Sequence, residues 1–489
     1  MHIKLFFSIA LILFLARNSH AQDEIEHLSP FAHGAGRTYA LSSRGLDAVG
    51  LNPSLLAFGT ARPIEITLFP ISSFGIDKGP SLSQINGISQ GFQGNGLSST
   101  QISNTPDSIS QGDSTRESLA NLLGGNNLSS SIDLRVFGLS YYNPDFGGLA
   151  LTWTMHSALE ASIPDALLSY IGVGAAGRLA QGYQLSPQTI TLQALWYSEY
   201  TLSYGRMLIG TQGSSQLQLL GGVGVKYITG IAAFNLNQGI FSINEPEPQG
   251  GHYVVSVDYQ MQSAYPKEFN FNNLPTTFSF NLIKNASAGS GYGGDIGFTL
   301  GAFDSLQRSP WEFALSVSDI GSIRWNSNVT VRSADTVLSP LTSQSNKDTI
   351  NNQLKALGGR LDTTAGSFTT QLPTTIHIAG ALDLSQIGLS MSNGSITAAA
   401  EYALGLVNVA GAPTHGRFGI AAILDEPGSA FSYRTSLGFT TQDGISDLTF
   451  GFGVGFGNTI LLDAGTDGVT QLFKQNGHSD FVFGLKVLL

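Results

Sequence analysis

The chain has 489 residues, no Cys, 59 Gly, charged residues at only 12% and a formal net charge of −11. An ordinary soluble domain carries about 25% charged residues, yet a mean hydropathy of +0.09 is too low for a bundle of membrane helices. The absence of Cys excludes a disulfide scaffold, thiolate-held zinc or iron–sulfur, a Cys nucleophile and a lipoprotein anchor. The acidic balance excludes nucleic acid as a partner, because no basic excess exists to displace counterions from phosphates.

Residues 1–21 read as a cleaved signal peptide. His2 and Lys4 precede the apolar run Leu5–Ala16, and Ser19-x-Ala21 supplies small residues for a peptidase. That run would span only ~18 Å of a hydrocarbon core ~30 Å thick. Residues 22–62 follow. Within them 34–59 (GAGRTYALSSRGLDAVGLNPSLLAFG) combines small residues with the Asn52-Pro53 turn, the pattern of a compact, partly helical segment and not of a linker. The first strand expected is Glu65–Ile76, and 77–131 is a polar loop rich in Ser, Gly, Asn and Gln, with a helical patch at Leu119, Leu122 and Leu123.

Beyond it the dominant signal is strict alternation, which gives a strand one apolar and one small or polar face. Leu149, Leu151, Trp153 and Met155 alternate with Ala150, Thr152, Thr154 and His156. Leu448, Phe450, Phe452, Val454 and Phe456 alternate with Thr and Gly, and Phe481, Phe483, Leu485, Val487 and Leu489 share one face of the last run. Similar runs lie near 133–142, 192–204, 217–227, 253–261, 296–303, 311–317, 376–384, 396–404 and 431–439. Asn143-Pro144-Asp145 and Gln442-Asp443-Gly444 mark hairpin turns. Helical spacing interrupts the pattern in 158–184, at Leu159, Ile163, Leu167 and Tyr170–Ile171. It recurs in 348–361, at Ile350, Leu354, Leu357 and Leu361. Such helices would either constrict a pore or pack on external loops, and 333–373 as a whole reads as a second long polar loop.

Runs of this length match the ~9–11 residues of a tilted membrane strand, and small residues opposite aromatics suit a barrel whose apolar face meets lipid. The expected fold is therefore all-β: a transmembrane antiparallel barrel of about 14 strands (12–16) spanning 63–489, with 22–62 as an N-terminal plug and a few short helices in the connections. Tyr141-Tyr142, Trp196-Tyr197, Trp311 and Trp325 are candidates for interfacial girdles. Charges in the plug must find lumen acids or water. Arg37 and Arg44 are expected to latch it to Asp258, Asp295 or Glu401, with Asp47, Asn52 and Pro53 as further gate candidates; solvation at the barrel mouth is the competing reading.

The stretch Arg44-Gly-Leu-Asp-Ala-Val-Gly-Leu-Asn52-Pro53-Ser54 resembles the opening of long-chain fatty-acid transporter-like outer-membrane barrels, where Asn-Pro-Ala leads into a hatch; Ser54 replaces the usual Ala. The related barrels of the type IX secretion system open similarly. Gly294-Asp295-Ile296-Gly297, Trp311-Glu312-Phe313, Asp319 to Trp325 and Leu372-Pro373-Thr374 resemble an uncharacterised family of the same broad type. The resemblance implies a 14-stranded plugged barrel in a Gram-negative outer membrane. It divides on function between passive passage of small hydrophobic molecules and a scaffold or shuttle role in secretion or envelope assembly. Outer-membrane lipid is the expected partner, with a small hydrophobic molecule in the lumen or a secretion or envelope protein on the polar loops.

Catalytic motifs find no support. Gly172-Val-Gly174-Ala-Ala-Gly177 lacks the βαβ context of a dinucleotide site, and Gly87-Ile-Ser89-Gln-Gly91 lacks the strand–turn–helix of a nucleophile elbow. The nine His residues never fall at HxH or HExxH spacing. His156 reads as a solvated lumen residue. No catalytic residue, cofactor or metal is expected, and the chain is expected not to be an enzyme.

Overall fold

The computed structural model describes residues 29–59, 62–67, 71–75, 127–162, 164, 185–211, 216–244, 252–266, 287–304, 307–342, 366–387, 394–412, 416–428, 430–442, 445–457, 459–469 and 480–489. The signal-like residues 1–21, the helical patches at 119–123, 165–184 and 348–361, and both Gly-rich motifs lie outside them.

The N-terminal part forms four short helical turns: α1 (Pro30–Gly34), α2 (Tyr39–Ser42) and the 3-10 turns η1 (Gly45–Ala48) and η2 (Pro53–Ala57). All strands belong to one sheet. In chain order they begin with β1 (Ile64–Thr67), β2 (Ile71–Gly75), β3 (Asn127–Asn143), β4 (Gly147–Ser162), β5 (Leu185–Ile209) and β6 (Gln218–Asn244). Next come β7 (His252–Ala264), β8 (Gly289–Gly301), β9 (Trp311–Trp325), β10 (Thr330–Thr342), β11 (Phe368–Gln371) and β12 (Thr375–Asp383). The last six are β13 (Ser395–Gly405), β14 (Arg417–Glu426), β15 (Phe431–Gln442), β16 (Ile445–Phe456), β17 (Ile460–Thr466) and β18 (Asp480–Leu488).

Every pairing is antiparallel, and β18 pairs with β1 and β2, which in turn pair with β3, so the sheet closes on itself. Ile64 and Leu489 exchange backbone bonds at that seam (3.1 and 2.8 Å). The expectation of about 14 strands (12–16) is corrected in its central value: among the described residues the wall contains eighteen strand segments, several of which share a stave. Several staves are split along their length. Strands β7 and β8 lie end to end against β6, β10 and β9 continue along them, and β11 and β12 both pair with β9. At the last break Pro373 has no N–H to give a ladder, and Leu372 N–H bonds Gly321 O instead (3.0 Å). Strands β1 and β2, which both pair with β3 and β18, correspond to one expected strand, Glu65–Ile76.

The alternating runs read from sequence each coincide with a strand, overrunning it by one or two residues at 217, 302–303, 384 and 489. Asn143 closes the first hairpin by accepting from the N–H groups of Asp145 (2.9 Å) and Phe146 (3.3 Å). Elsewhere the reading is corrected. Residues 158–162 continue β4 and are not helical, 127–131 belong to β3, and within the expected loop 333–373 residues 333–342 belong to β10 and 368–371 form β11 although loop-like in composition. Strands β14 and β17 had no counterpart in the reading, because RFGIAAILDE and ILLDAGT place small or apolar residues on both parities and so lose the contrast that alternation needs.

The apolar parity faces outward. Leu448, Phe450, Phe452, Phe481, Phe483, Leu437, Ile420, Phe313 and Leu151 are exposed, while Asp447, Thr449, Gly451 and Ser436 between or beside them are buried on the inner side. This is the distribution lipid imposes on a barrel. Tyr141 and Trp311 do lie on the outer face, but Tyr197 and Trp325 are fully buried inward residues and not girdle members. Strands β5 and β6, at 25 and 27 residues, are far longer than a bilayer requires, so the wall stands taller on that side. If the outer face meets hydrocarbon, Phe450→Arg or Phe452→Arg destabilises the barrel by ~2–4 kcal/mol near mid-membrane, while outward changes near the rim cost much less. Urea unfolding in lipid vesicles measures this, and equal losses at both depths would contradict the assignment.

Candidate functional site

Residues 29–59 lie against the inner parity of the wall. Pro30 and Pro53 open α1 and η2 at the helical position where a missing N–H is harmless. Between α1 and α2 the chain turns through Gly36 (φ 63°) and Arg37 (φ 53°). Glycine is demanded at 36 twice over, by its left-handed backbone and because a Cβ there would collide with the Ile420 carbonyl of β14. Across the lumen, a Cβ on Gly222 of β6 would strike the backbone of Pro53. The small inward residues are thus a cradle for this segment. The alanines of β9, β12 and β13 (Ala314, Ala379, Ala381, Ala399) likewise leave room for Leu41.

Four charge groups tie the segment to the wall or lie against it. Arg37 bonds Asp480 (2.9 Å) at the start of β18 and Asp467 just after β17, and His33 Nε2 stands 3.7 Å from Asp467. Asp47 meets Lys486 of β18 (2.5 Å), which also contacts Glu65 of β1 (3.3 Å). Beside them Leu46 donates its N–H to Glu65 (2.9 Å) and accepts from Arg135 of β3 (2.8 Å). Glu401 of β13 accepts from Ala40 N–H (2.7 Å), pairs with His377 (2.9 Å) and lies 3.5 Å from Arg417, whose other nitrogen bonds the Arg37 carbonyl (2.7 Å). Lys226 of β6 gathers Asp319 (2.6 Å), Asp295 (2.9 Å) and Glu199 (3.3 Å). Next to it His156 bonds Asp133 (2.6 Å), and a cavity of about 20 Å³ opens between these groups and Val49-Gly50. That volume is room for about one water.

The expected site residues fare differently. Arg37, Asp47, Asn52 and Pro53 are buried at the wall. Asn52 accepts from Ser54 (2.6 Å from its Oγ) and donates to the Ala40 carbonyl (2.9 Å) and to Thr299 of β8 (3.1 Å). The Ser54 hydroxyl also meets Thr299 (2.7 Å), a bond that Ala at this position would lack. Arg44 is part-exposed, 3.5 Å from Glu312 and stacked over Phe58. The expected pairing is corrected: Arg37 takes Asp467 and Asp480, and Arg44 takes Glu312, in place of Asp258, Asp295 and Glu401. Glu401 does hold the segment, through the Ala40 amide; Asp295 serves Lys226; Asp258 is exposed on β7. His156 is corrected from a solvated residue to a half-buried one ion-paired with Asp133. Lys486, Arg135, Lys226 and Arg417 were not singled out from sequence, although each is a cation on the non-apolar parity of a strand, which is signal enough in a chain with 23 Lys and Arg.

His33, Asp467 and Asp480 bring three possible ligand atoms within 4.8 Å of one another, and the Arg37 guanidinium already bonds both carboxylates. Removing it leaves two buried carboxylates facing each other, a loss of ~3–5 kcal/mol for a broken buried pair. Arg37→Ala is therefore expected to expose residues 29–44 to protease. Gly36→Ala should do the same, whereas Gly457→Ala, also left-handed (φ 55°) but with open space around its Cβ, costs only the ~1–2 kcal/mol of backbone strain. Limited proteolysis with melting curves separates the three; equal behaviour of the two glycine variants would refute the cradle.

Three solved barrels are similar in outline. The toluene transporter TbuX of Ralstonia pickettii aligns at TM-score 0.42 and 10% identity, over 95% of this chain and 99% of that one. The Pseudomonas putida toluene transporter TodX aligns at 0.38 and 10%, over 96% and 98%. A Pseudomonas aeruginosa FadL homologue also aligns at 0.38 and 10%, over 96% and 99%. No curated protein matches the sequence. Residues 80–457 match a family model described as a family of unknown function, DUF5723, and the chain belongs to that family.

Proposed function

We propose that this protein is an outer-membrane barrel for passive passage of small hydrophobic molecules, with residues 29–59 as its plug. The observation that carries the reading is how that segment is attached. Among the described residues, no backbone–backbone bond joins 29–59 to a strand; the hydrogen bonds to the wall run through side chains such as Glu401, Glu65, Arg135, Thr299 and Thr449. The wall keeps its own ladder whether or not the segment is seated, so displacement leaves the barrel whole.

The preference for apolar cargo rests on the inner wall. A barrel lumen is ordinarily polar, but Leu195, Tyr197, Ile228, Ile323, Trp325, Phe368 and Leu372 form an inward apolar cluster, with Trp325 and Phe368 stacked at 6.2 Å. It lies on the side of the Lys226 group toward the long connections, an apolar surface in the path of a solute. Short turns, such as Asn143–Gly147, mark the periplasmic end of such barrels; on this reading the apolar cluster is toward the outside and η2, beside Gly148 and Gly205, is toward the periplasm. Nothing in the chain supplies energy to the passage, so flow follows the concentration gradient.

Unlatching the segment by Arg37→Gln with Asp47→Asn should raise entry of the apolar dye N-phenylnaphthylamine several-fold in cells carrying the barrel, with a smaller effect on a sugar of similar size. Unchanged entry of both solutes, in a barrel that remains heat-modifiable on gels and whose segment has become protease-sensitive, would rule the reading out.

A further inference from the structure

The connection between β13 and β14 does not stay on its own side of the ring. Leu406 donates its N–H to the Thr374 carbonyl (2.8 Å), Ala412 N–H closes a turn on Val409 O (3.1 Å), and Gly411 N–H reaches Glu160 Oε1 at 2.8 Å. Glu160 lies near the end of β4, on the inward parity of Thr152, Thr154 and Ala158. Strands β5, β6, β8, β9 and β12 stand between β4 and β13 round the wall, so the connection crosses the lumen instead of following the rim. Ala410 and Ala412 are 2% and 0% exposed. Ala410 joins the inward apolar cluster with Ala158, Leu195, Tyr197 and Trp325. Gly411 has φ 86°, a conformation that suits glycine and that turns its amide toward the carboxylate.

We propose that Leu406–Ala412 is a strap across the lumen at its long-connection end, that Glu160 is its catch, and that apolar solutes enter when it lifts. The proposal rests on the reading of the barrel as a passage and adds a second closure beyond the N-terminal segment. The strap is built to open. A carboxylate accepting an amide N–H is a strong single bond; apart from it, the described backbone ties of the strap beyond its own turn are the Leu406 bond to Thr374 and a single bridge position at Gly411. Its covered side chains there are alanines, which bury little apolar area. Segments with few apolar contacts and few ladder bonds open locally without global unfolding. The catch and the lumen apolar surface meet at one place: lifting the strap uncovers the cluster that Ala410 covers.

A chain without native Cys allows a direct test. In Ala158→Cys, a thiol beneath the strap should react slowly with a membrane-impermeant maleimide, and adding Glu160→Ala should speed that reaction at least ten-fold. In Glu160→Cys with Ala412→Cys, a short reducible bifunctional thiol reagent should bridge the two positions. Dye entry should then fall to the level of cells without the barrel and return on reduction. Heat-modifiable gel mobility selects folded variants. Unchanged Ala158→Cys reactivity when Glu160 is removed, or bridged protein that admits dye as well as reduced protein, would overturn the strap. A barrel that admits no dye in either state would overturn the passage reading, and the labelling rates then decide the strap independently.

Discussion

Among the described residues the outward parity of the wall is dominated by apolar side chains, and most charges of the strands lie on the inner parity, where an ion loses its hydration and must be neutralised by a partner; Asp258 and Arg324 are exposed exceptions. The pairs at Arg37, Lys486, Glu401 and Lys226 answer that constraint, and most of their members are nearly fully buried. It also explains the composition: with the outer face largely apolar and each inner charge needing a partner, a chain of this size holds only 12% charged residues.

The same constraint decides how the lumen segment is held. A strand added to the interior would need a ladder partner, and the staves have already spent their backbone groups on one another. Residues 29–59 instead complete their own backbone bonding in four short turns and offer the wall single amides, carbonyls and side chains. Leu46 illustrates the economy: its N–H goes to Glu65 and its carbonyl to Arg135, so one residue of the segment is gripped by two neighbouring staves. Small residues on the inner parity make that closeness possible, since a backbone-to-backbone approach leaves no room for a Cβ at Gly222 or Gly36.

How much of this was legible in the sequence depends on contrast. Alternation with aromatics against glycine, as in 448–456, fixes both strand and face, and the Asn-Pro-Asp turn fixes a hairpin. Strand β14 was invisible because its Ala pairs look alike from both sides, and β10 was hidden by a loop-like composition. Splits in the staves depend on pairing partners far away in the chain, as where Asp319 (φ 57°) bulges opposite Asp295; no local pattern encodes that. For the charges, parity showed that Asp295 and Glu401 face inward, but which cation each meets is set by the height of one stave against another. Arg37 was recognisable as a buried cation in need of acids, whereas its acids, Asp467 and Asp480, flank a connection that carries no periodic signal.

The distribution of the four charge groups round the ring bears on how the segment can move. Arg37 is tied to β18 and the end of β17, Ala40 to β13, and Leu46 and Asp47 to β1, β3 and β18, while Pro53 and Leu56 press on β4, β5 and β6. The anchors therefore run round the ring instead of gathering on one side: β3, whose Arg135 grips Leu46, is paired with β4, on which Leu56 presses, while Glu401 of β13 and Glu312 of β9 hold Ala40 and Arg44 farther round. No single pair carries the whole attachment, because the groups sit on different strands. Each group is a separate buried pair, so the loss of one costs ~3–5 kcal/mol while the pairs on the other strands remain. Between η1 and η2 the chain turns at Gly50, whose φ of 82° suits glycine, and this turn carries it from the anchors on β1 and β3 to those on β4, β5 and β6.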